Sequence, residues 1–241
     1  MGYKNIYEIF GLGRSGHHAM TNWLVKNMVG KELSFKWKSE TLHRERLTYI
    51  NEANLDEGTT MDYLKKEKEN KFLILTYEDC RIGYCSLNKS YNFTSKFCFD
   101  YDFIDDNYSS ERFIFIRNFF DNIASRNYKN INEGGKFDVS KEYFFELWKQ
   151  QAKSIIENNH KYLKYEDWIT NGDIRQKFLM NVTNTHELYG TQVKGTKSSY
   201  GDNNFLNRFN EKDISEEIKD NILGDNELKH LIKELNYEYK L

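Results

Sequence analysis

Phe10-Gly11-Leu12-Gly13-Arg14-Ser15-Gly16-His17-His18-Ala19-Met20-Thr21-Asn22-Trp23-Leu24 is the stretch on which the fold turns. The residues leading into it, Ile6 to Phe10, form a short apolar run that predicts a buried strand ending in glycines. Those after it place Met20, Trp23, Leu24 and Met28 on one face of a helix over 17–29. Between strand and helix, the glycines let the backbone turn tightly and aim its N–H groups inward. The helix N-terminus adds partial positive charge. Together these features predict an anion site, most naturally for phosphate.

Working outward, Phe72 to Tyr77, Phe113 to Ile116 and Tyr162 to Tyr165 read as further strands. A helical pattern follows Ile116 at once, with Phe119, Phe120, Ile123 and Ala124. A second helix, over 140–158, repeats Phe144, Leu147, Trp148, Ala152 and Ile155 at threes and fours. Ile174, Phe178 and Leu179 mark a short helix. Residues 213–235 predict one helix or two, broken near Gly224. The polar segment 31–70 predicts loops and short helices, and 80–110 shows no periodicity. Continuous hydrophobic strands alternating with amphipathic helices imply an α/β fold, a parallel sheet flanked by helices on both faces. In such folds ligands bind at the carboxyl ends of the strands.

Length and composition agree with this. A chain of 241 residues is expected to form a single domain over 1–241. An aromatic content of 16% argues against disorder. The net charge of −2 excludes a global basic field, so no nucleic-acid partner is expected. No apolar run approaches the roughly 18 residues of a membrane span. Met1 to Ile6 lacks a secretory apolar region, so a cytoplasmic location is expected. Cys80, Cys85 and Cys98 neither make a disulfide framework nor show paired spacing for zinc.

Three phosphate-binding chemistries compete for the loop. Gly11-x-Gly13-x-x-Gly16 has the dinucleotide spacing, but that fold wants a strand soon after the helix, ending in a ribose-binding acid, and residues 31–40 make a poor strand. Gly11-x-x-x-x-Gly16 has the spacing of a nucleoside-triphosphatase loop. There His17 and His18 stand where Lys and Ser/Thr are needed, so the β/γ-phosphates lose their cation and Mg²⁺ a ligand. The third possibility is a loop for a single 5′-phosphate without magnesium, with Arg14 as its cation.

This segment resembles the 5′-phosphosulfate loop of sulfotransferases that use 3′-phosphoadenosine-5′-phosphosulfate (PAPS). Their loop reads Lys or Arg, then Ser/Thr-Gly-Thr-Thr; here two histidines replace the two threonines. Three further segments resemble the family in order. Arg117 at a strand end and Ser125 eight residues on have the spacing of the pair that binds the 3′-phosphate. The proline usual after that Arg-Asp/Asn pair is absent, as it is from the whole chain. Tyr165-Glu166-Asp167-Trp168 is similar to a Tyr-Glu-Asp-Leu segment whose Tyr lies near the adenine. Lys194-Gly195, with Ser198 and Ser199, is similar to a Gly-rich loop that closes over the 3′-phosphate.

The resemblance implies a P-loop-like sulfotransferase architecture. It also implies in-line transfer of a sulfuryl group from PAPS to an acceptor hydroxyl or amine, with release of adenosine 3′,5′-bisphosphate (PAP) and no metal. The implied nucleotide pocket comprises Gly13, Arg14, Ser15, Gly16, His17, His18, Arg117, Ser125, Tyr165, Lys194, Gly195, Ser198 and Ser199, with Arg14 stabilising the leaving phosphate. A general base must deprotonate the acceptor. Glu40 resembles the base of glutamate-dependent members, and Glu78 ends a strand where others carry a histidine base; His43, His17 and His18 are further candidates. The acceptor, whether carbohydrate, protein tyrosine or small molecule, and the oligomeric state are not readable from the residues. Other classes make distinct predictions: a nucleotide kinase or NTPase would need ATP and Mg²⁺, a non-catalytic PAP-binding module would bind without turnover, and a dehydrogenase would bind NAD(P).

Overall fold

A computed structural model of the chain describes residues 3–29, 41–44, 47–50, 72–79, 104–158, 160–191, 209 and 214–241. Strand β1 (Tyr3–Gly11) leads through the Gly loop into helix α1 (His17–Val29). Strands β2 (Thr41–Arg44), β3 (Leu47–Ile50), β4 (Phe72–Glu78) and β5 (Ile104–Ile116) follow. Helix α2 (Phe119–Glu133) comes next, then a π-type turn (Lys141–Phe145) that runs into α3 (Glu146–Ile156). Strand β6 (Lys161–Lys164) and helices α4 (Tyr165–Thr170), α5 (Gly172–Thr183), α6 (Glu216–Gly224) and α7 (Asn226–Glu234) complete the described order.

The strands form one sheet in the order β2-β3-β4-β1-β5-β6. Every neighbouring pair is parallel except β2 with β3, which are antiparallel at one edge. Because successive side chains of a strand point to opposite faces, β5 feeds two cores. Phe113 and Phe115 join Tyr7, Ile9, Met20, Trp23, Leu24, Trp168 and Leu179 on the face covered by α1, α4 and α5. Ile114 and Ile116 join Phe119, Ile123, Phe144, Trp148, Ile222 and Leu231 on the face covered by α2, α3, α6 and α7. The expected α/β architecture, a parallel sheet with helices on both faces, is thus observed.

Four local expectations are corrected. Segment 31–70 contains strands β2 and β3, not only loops and short helices. Four-residue strands are too short for a period of two to stand out, and β3 is defined by its ladder with β4. Strand β5 begins at Ile104, inside the segment that shows no periodicity. Asp and Asn are depleted in strands, but this part pairs with β1 across a register shift between Tyr3 and Asn5. Tyr165 opens helix α4 rather than closing β6. The helix expected over 140–158 starts with the π-type turn.

Candidate functional site

Strand β1 is central, with Gly11 in register with Glu78 of β4 and Phe115 of β5. The carboxyl ends of these strands therefore bring the Gly loop, Glu78-Asp79 and Arg117 to one edge. Strand β6 ends beside β5, with Ile116 paired to Lys164 just before Tyr165.

The loop itself is tightly wound. Ser15 N donates to Leu12 O at 2.9 Å, and Met20 N to Gly16 O at 3.1 Å, so the chain passes from turn into α1 without a break. Gly16 has φ +84°, and a Cβ there would meet the Tyr165 ring at 2.4 Å. Both the backbone conformation and this close approach demand glycine. Arg14 also lies in the left-handed region, at φ 67°, which is sparsely populated for non-glycine residues.

A clamp fixes the first turn. Asp79, at the end of β4, accepts from Gly13 N at 2.9 Å. Its carboxylate also pairs with Arg126 Nη2, and Arg126 Nε donates to Gly13 O at 3.1 Å. Asn122 Nδ2 donates to the same carbonyl at 3.3 Å. Arg126 is fully buried, with its guanidinium over the Phe144 ring at 4.5 Å. These clamp residues, Asp79, Asn122 and Arg126, were outside the residues picked from the sequence. Their nearest sequence signal is position: Asp79 and Arg126 directly follow Glu78 and Ser125.

Two expected pocket residues, Arg117 and Tyr165, gather at the loop. Arg117 Nη1 donates to Arg14 O at 3.1 Å, and its guanidinium lies over the Tyr165 ring at 4.8 Å from the centroid. Tyr165 packs against Gly16. Asn118 caps α2 by accepting from Phe120 N and Asp121 N, and its own N–H donates to Glu166 Oε1. Ser125 is on the same helix as Asn122 and Arg126, the two residues that hold the loop. It is 1% exposed, and its Oγ has no hydrogen-bond partner among the described residues. The same holds for Ser15 Oγ. Buried hydroxyls are normally satisfied, and these two can donate to a bound group.

The two histidines turn toward Glu78. His18 Nε2 lies 3.5 Å from one Glu78 oxygen and His17 Nδ1 lies 3.9 Å from the other. The two rings are 3.9 Å apart. His17 is buried, and at least one of its ring nitrogens has no hydrogen-bond partner among the described residues. Burial pushes its pKa down to about 3, helped by His18 and, less, by Arg126; the Glu78 carboxylate and a hydrogen bond with the Leu12 backbone pull the other way. Burial alone would raise the Glu78 carboxyl. The hydrogen bond with His18 and the charges of His17, His18 and Arg126 override it and hold the group well below the usual carboxylate range. Glu40, Lys194, Gly195, Ser198 and Ser199 lie outside the described residues, as do the three cysteines and the side chain of His43. No helix among the described residues is long and apolar enough to cross a membrane.

No family model matches the chain, and no curated protein matches it. Solved structures similar to it include two sulfotransferases. One is a crystal structure of mouse sulfotransferase SULT7A1 complexed with PAP, 11% identical, covering 96% of this chain and 89% of that one with a TM-score of 0.46. The other is the sulfotransferase domain from the curacin biosynthetic pathway, 15% identical, covering 100% of both chains with a TM-score of 0.42.

Proposed function

We propose that the chain is a sulfotransferase that binds PAPS and moves its sulfuryl group to an acceptor hydroxyl or amine. One observation supports this: Arg117 and Tyr165, each matched to a nucleotide-binding role from a different segment, meet each other and the Gly13–His18 loop. The orphaned hydroxyls of Ser15 and Ser125 fit a ligand rich in phosphate oxygens.

In this reading the first N–H groups of α1, which have no intrahelical acceptor, face the 5′-phosphate together with Ser15 Oγ. Arg14 supplies the cation there. Arg117 and Ser125 hold the 3′-phosphate, the arginine through its charged fork. Tyr165, braced between Gly16 and Arg117, offers the adenine a flat face. Lys194, Gly195, Ser198 and Ser199 are assigned to the 3′-phosphate by the resemblance alone. Bound PAPS supplies the sulfuryl group, and the preorganised loop dipoles stabilise charge on the leaving phosphate. Glu40 is the proposed base. Glu78 is the weaker candidate, because a carboxylate held well below the usual range, chiefly by its hydrogen bond with His18, is a poor proton acceptor.

The test is a melting-temperature comparison of PAP, ATP–Mg²⁺ and NADP⁺ on metal-stripped protein. At a hundred times Kd a ligand adds about 2.7 kcal/mol, which is roughly 5–10 °C for a chain of this size. A shift with PAP alone, lost in Arg117→Ala, is expected. A shift only with ATP–Mg²⁺ or NADP⁺ would assign the loop to another chemistry.

A further inference from the structure

We propose that His17, His18 and Glu78 form a binding site for one divalent first-row transition metal ion such as Zn²⁺. The site draws on two neighbouring elements, the first two residues of α1 and the last residue of β4. Their placement is fixed by the Gly11–Glu78 register of the sheet. One donor atom from each of the three residues lies within 4.8 Å of the others. The imidazole–carboxylate separations are 3.5 and 3.9 Å. Ligands around a tetrahedral Zn²⁺, with bonds of about 2.0–2.1 Å, stand roughly 3.3 Å apart. Small rotations of the side chains therefore bring the three donors onto one ion.

The state of His17 points the same way. Its ring is buried, and at least one ring nitrogen has no hydrogen-bond partner among the described residues. Buried polar atoms are rarely left so, and a metal bond would satisfy one of them. Two nitrogens and one carboxylate select a borderline metal over Mg²⁺ or Ca²⁺, which want oxygen alone. Three protein ligands leave a position open for water or an anionic oxygen, as in sites that act on bound ligands rather than merely bracing a fold. The cation Arg126, which acts on both His17 and Glu78, is itself paired with Asp79 and so opposes an incoming ion less than a lone guanidinium would. The residues that depart from the sulfotransferase-like loop, His17 and His18, are the same two that make this site. The metal site does not rest on the nucleotide assignment.

The test is isothermal titration calorimetry of Zn²⁺ into the untagged, EDTA-stripped chain in millimolar Mg²⁺, with Co²⁺ absorption as a second readout. One Zn²⁺ per chain is expected, with d–d bands of a nitrogen–oxygen site when Co²⁺ is used. Glu78→Gln and His18→Gln, at partly exposed positions, should each weaken binding by about tenfold or more. His17→Ala should do the same where circular dichroism shows it folded; the other two variants decide the matter if it is not. Absence of saturable one-to-one binding would overturn the site. So would displacement by Mg²⁺, or unchanged affinity in both Glu78→Gln and His18→Gln. A failure here leaves the PAP shift of the metal-stripped chain untouched, and a missing PAP shift leaves Zn²⁺ binding untouched.

Discussion

His17 sets a pH signature that can be read without any ligand. Its ring is held neutral in the fold, with its pKa pushed down to about 3 by burial, while in the unfolded chain it titrates near the ordinary value of about 6.5. The folded pKa is the lower one, so the unfolded state takes up the proton first. Stability is full above about pH 6.5 and falls as pH drops toward the folded value. Between pH 7 and pH 5 this one group should remove about 2 kcal/mol. Glu78, held below the carboxylate range, acts in the same direction only below about pH 4.5. Urea denaturation at pH 7 and pH 5 should therefore show a larger loss in the wild-type chain than in His17→Gln, by about that amount. Equal losses would mean that His17 is protonated in the fold. At this scale the loop was legible: Gly16 and Arg14 could be singled out because the chemistry of a strand–Gly–helix turn is local. The pairing of His17 and His18 with Glu78 was not, since it depends on which strand lies beside β1.

Helix α2 puts two adjacent residues to opposite uses. Ser125 is buried with an unpartnered hydroxyl, whereas Arg126 holds Gly13 O, Asp138 O and the Asp79 carboxylate together. Ser125→Ala removes no protein–protein hydrogen bond, so stability should stay within about 0.5 kcal/mol. PAP affinity should fall by roughly tenfold, the loss of a hydrogen bond to a charged group. Arg126→Met leaves Asp79 as an unpaired, partly buried charge and should cost about 3 kcal/mol or more. Denaturant midpoints and PAP titrations on the two variants check both claims; a Ser125→Ala chain that binds PAP normally would remove Ser125 from the pocket. The apolar periodicity of Phe119, Phe120 and Ile123 made the helix visible in the sequence. It could not show that Asn122 and Arg126 clamp the loop, because their partners come from β1 and β4. Strands β2 and β3 were hidden for a related reason. They are defined by a ladder to β4 rather than by a pattern of their own.

The molecule as a whole separates its site from its scaffold. The loop sits at the carboxyl edge of the sheet, and behind it the core under α2 and α3 is closed by α7 through Leu228, Leu231 and Ile232. A charged bolt fastens that closure. Lys149 of α3 is 6% exposed and reaches Asp225 Oδ2 at 3.1 Å and Glu227 Oε2 at 3.1 Å. Asp225 also caps α7 by accepting from Leu228 N at 2.9 Å. Sequence periodicity indicated a break near Gly224 but gave no sign of this bolt, since Lys149 lies on a helix remote in the chain. Lys149→Met leaves the buried Asp225 carboxylate without its counter-charge, a change that typically costs about 3 kcal/mol or more. For a chain of this size that is roughly 6–12 °C of melting temperature. Among the described residues, none of the contacts that shape the loop involve Lys149, so the variant should keep its PAP affinity and Zn²⁺ stoichiometry while it melts early. Loss of ligand binding at a temperature where Lys149→Met is still folded would show that the α3–α7 closure and the loop are coupled through the sheet. The direct route for such coupling is the bond from Trp148 Nε1 to Arg117 O, 2.9 Å long and one residue from Lys149. Trp148→Phe, which removes that bond and keeps most of the packing, would then weaken PAP binding as Lys149→Met does.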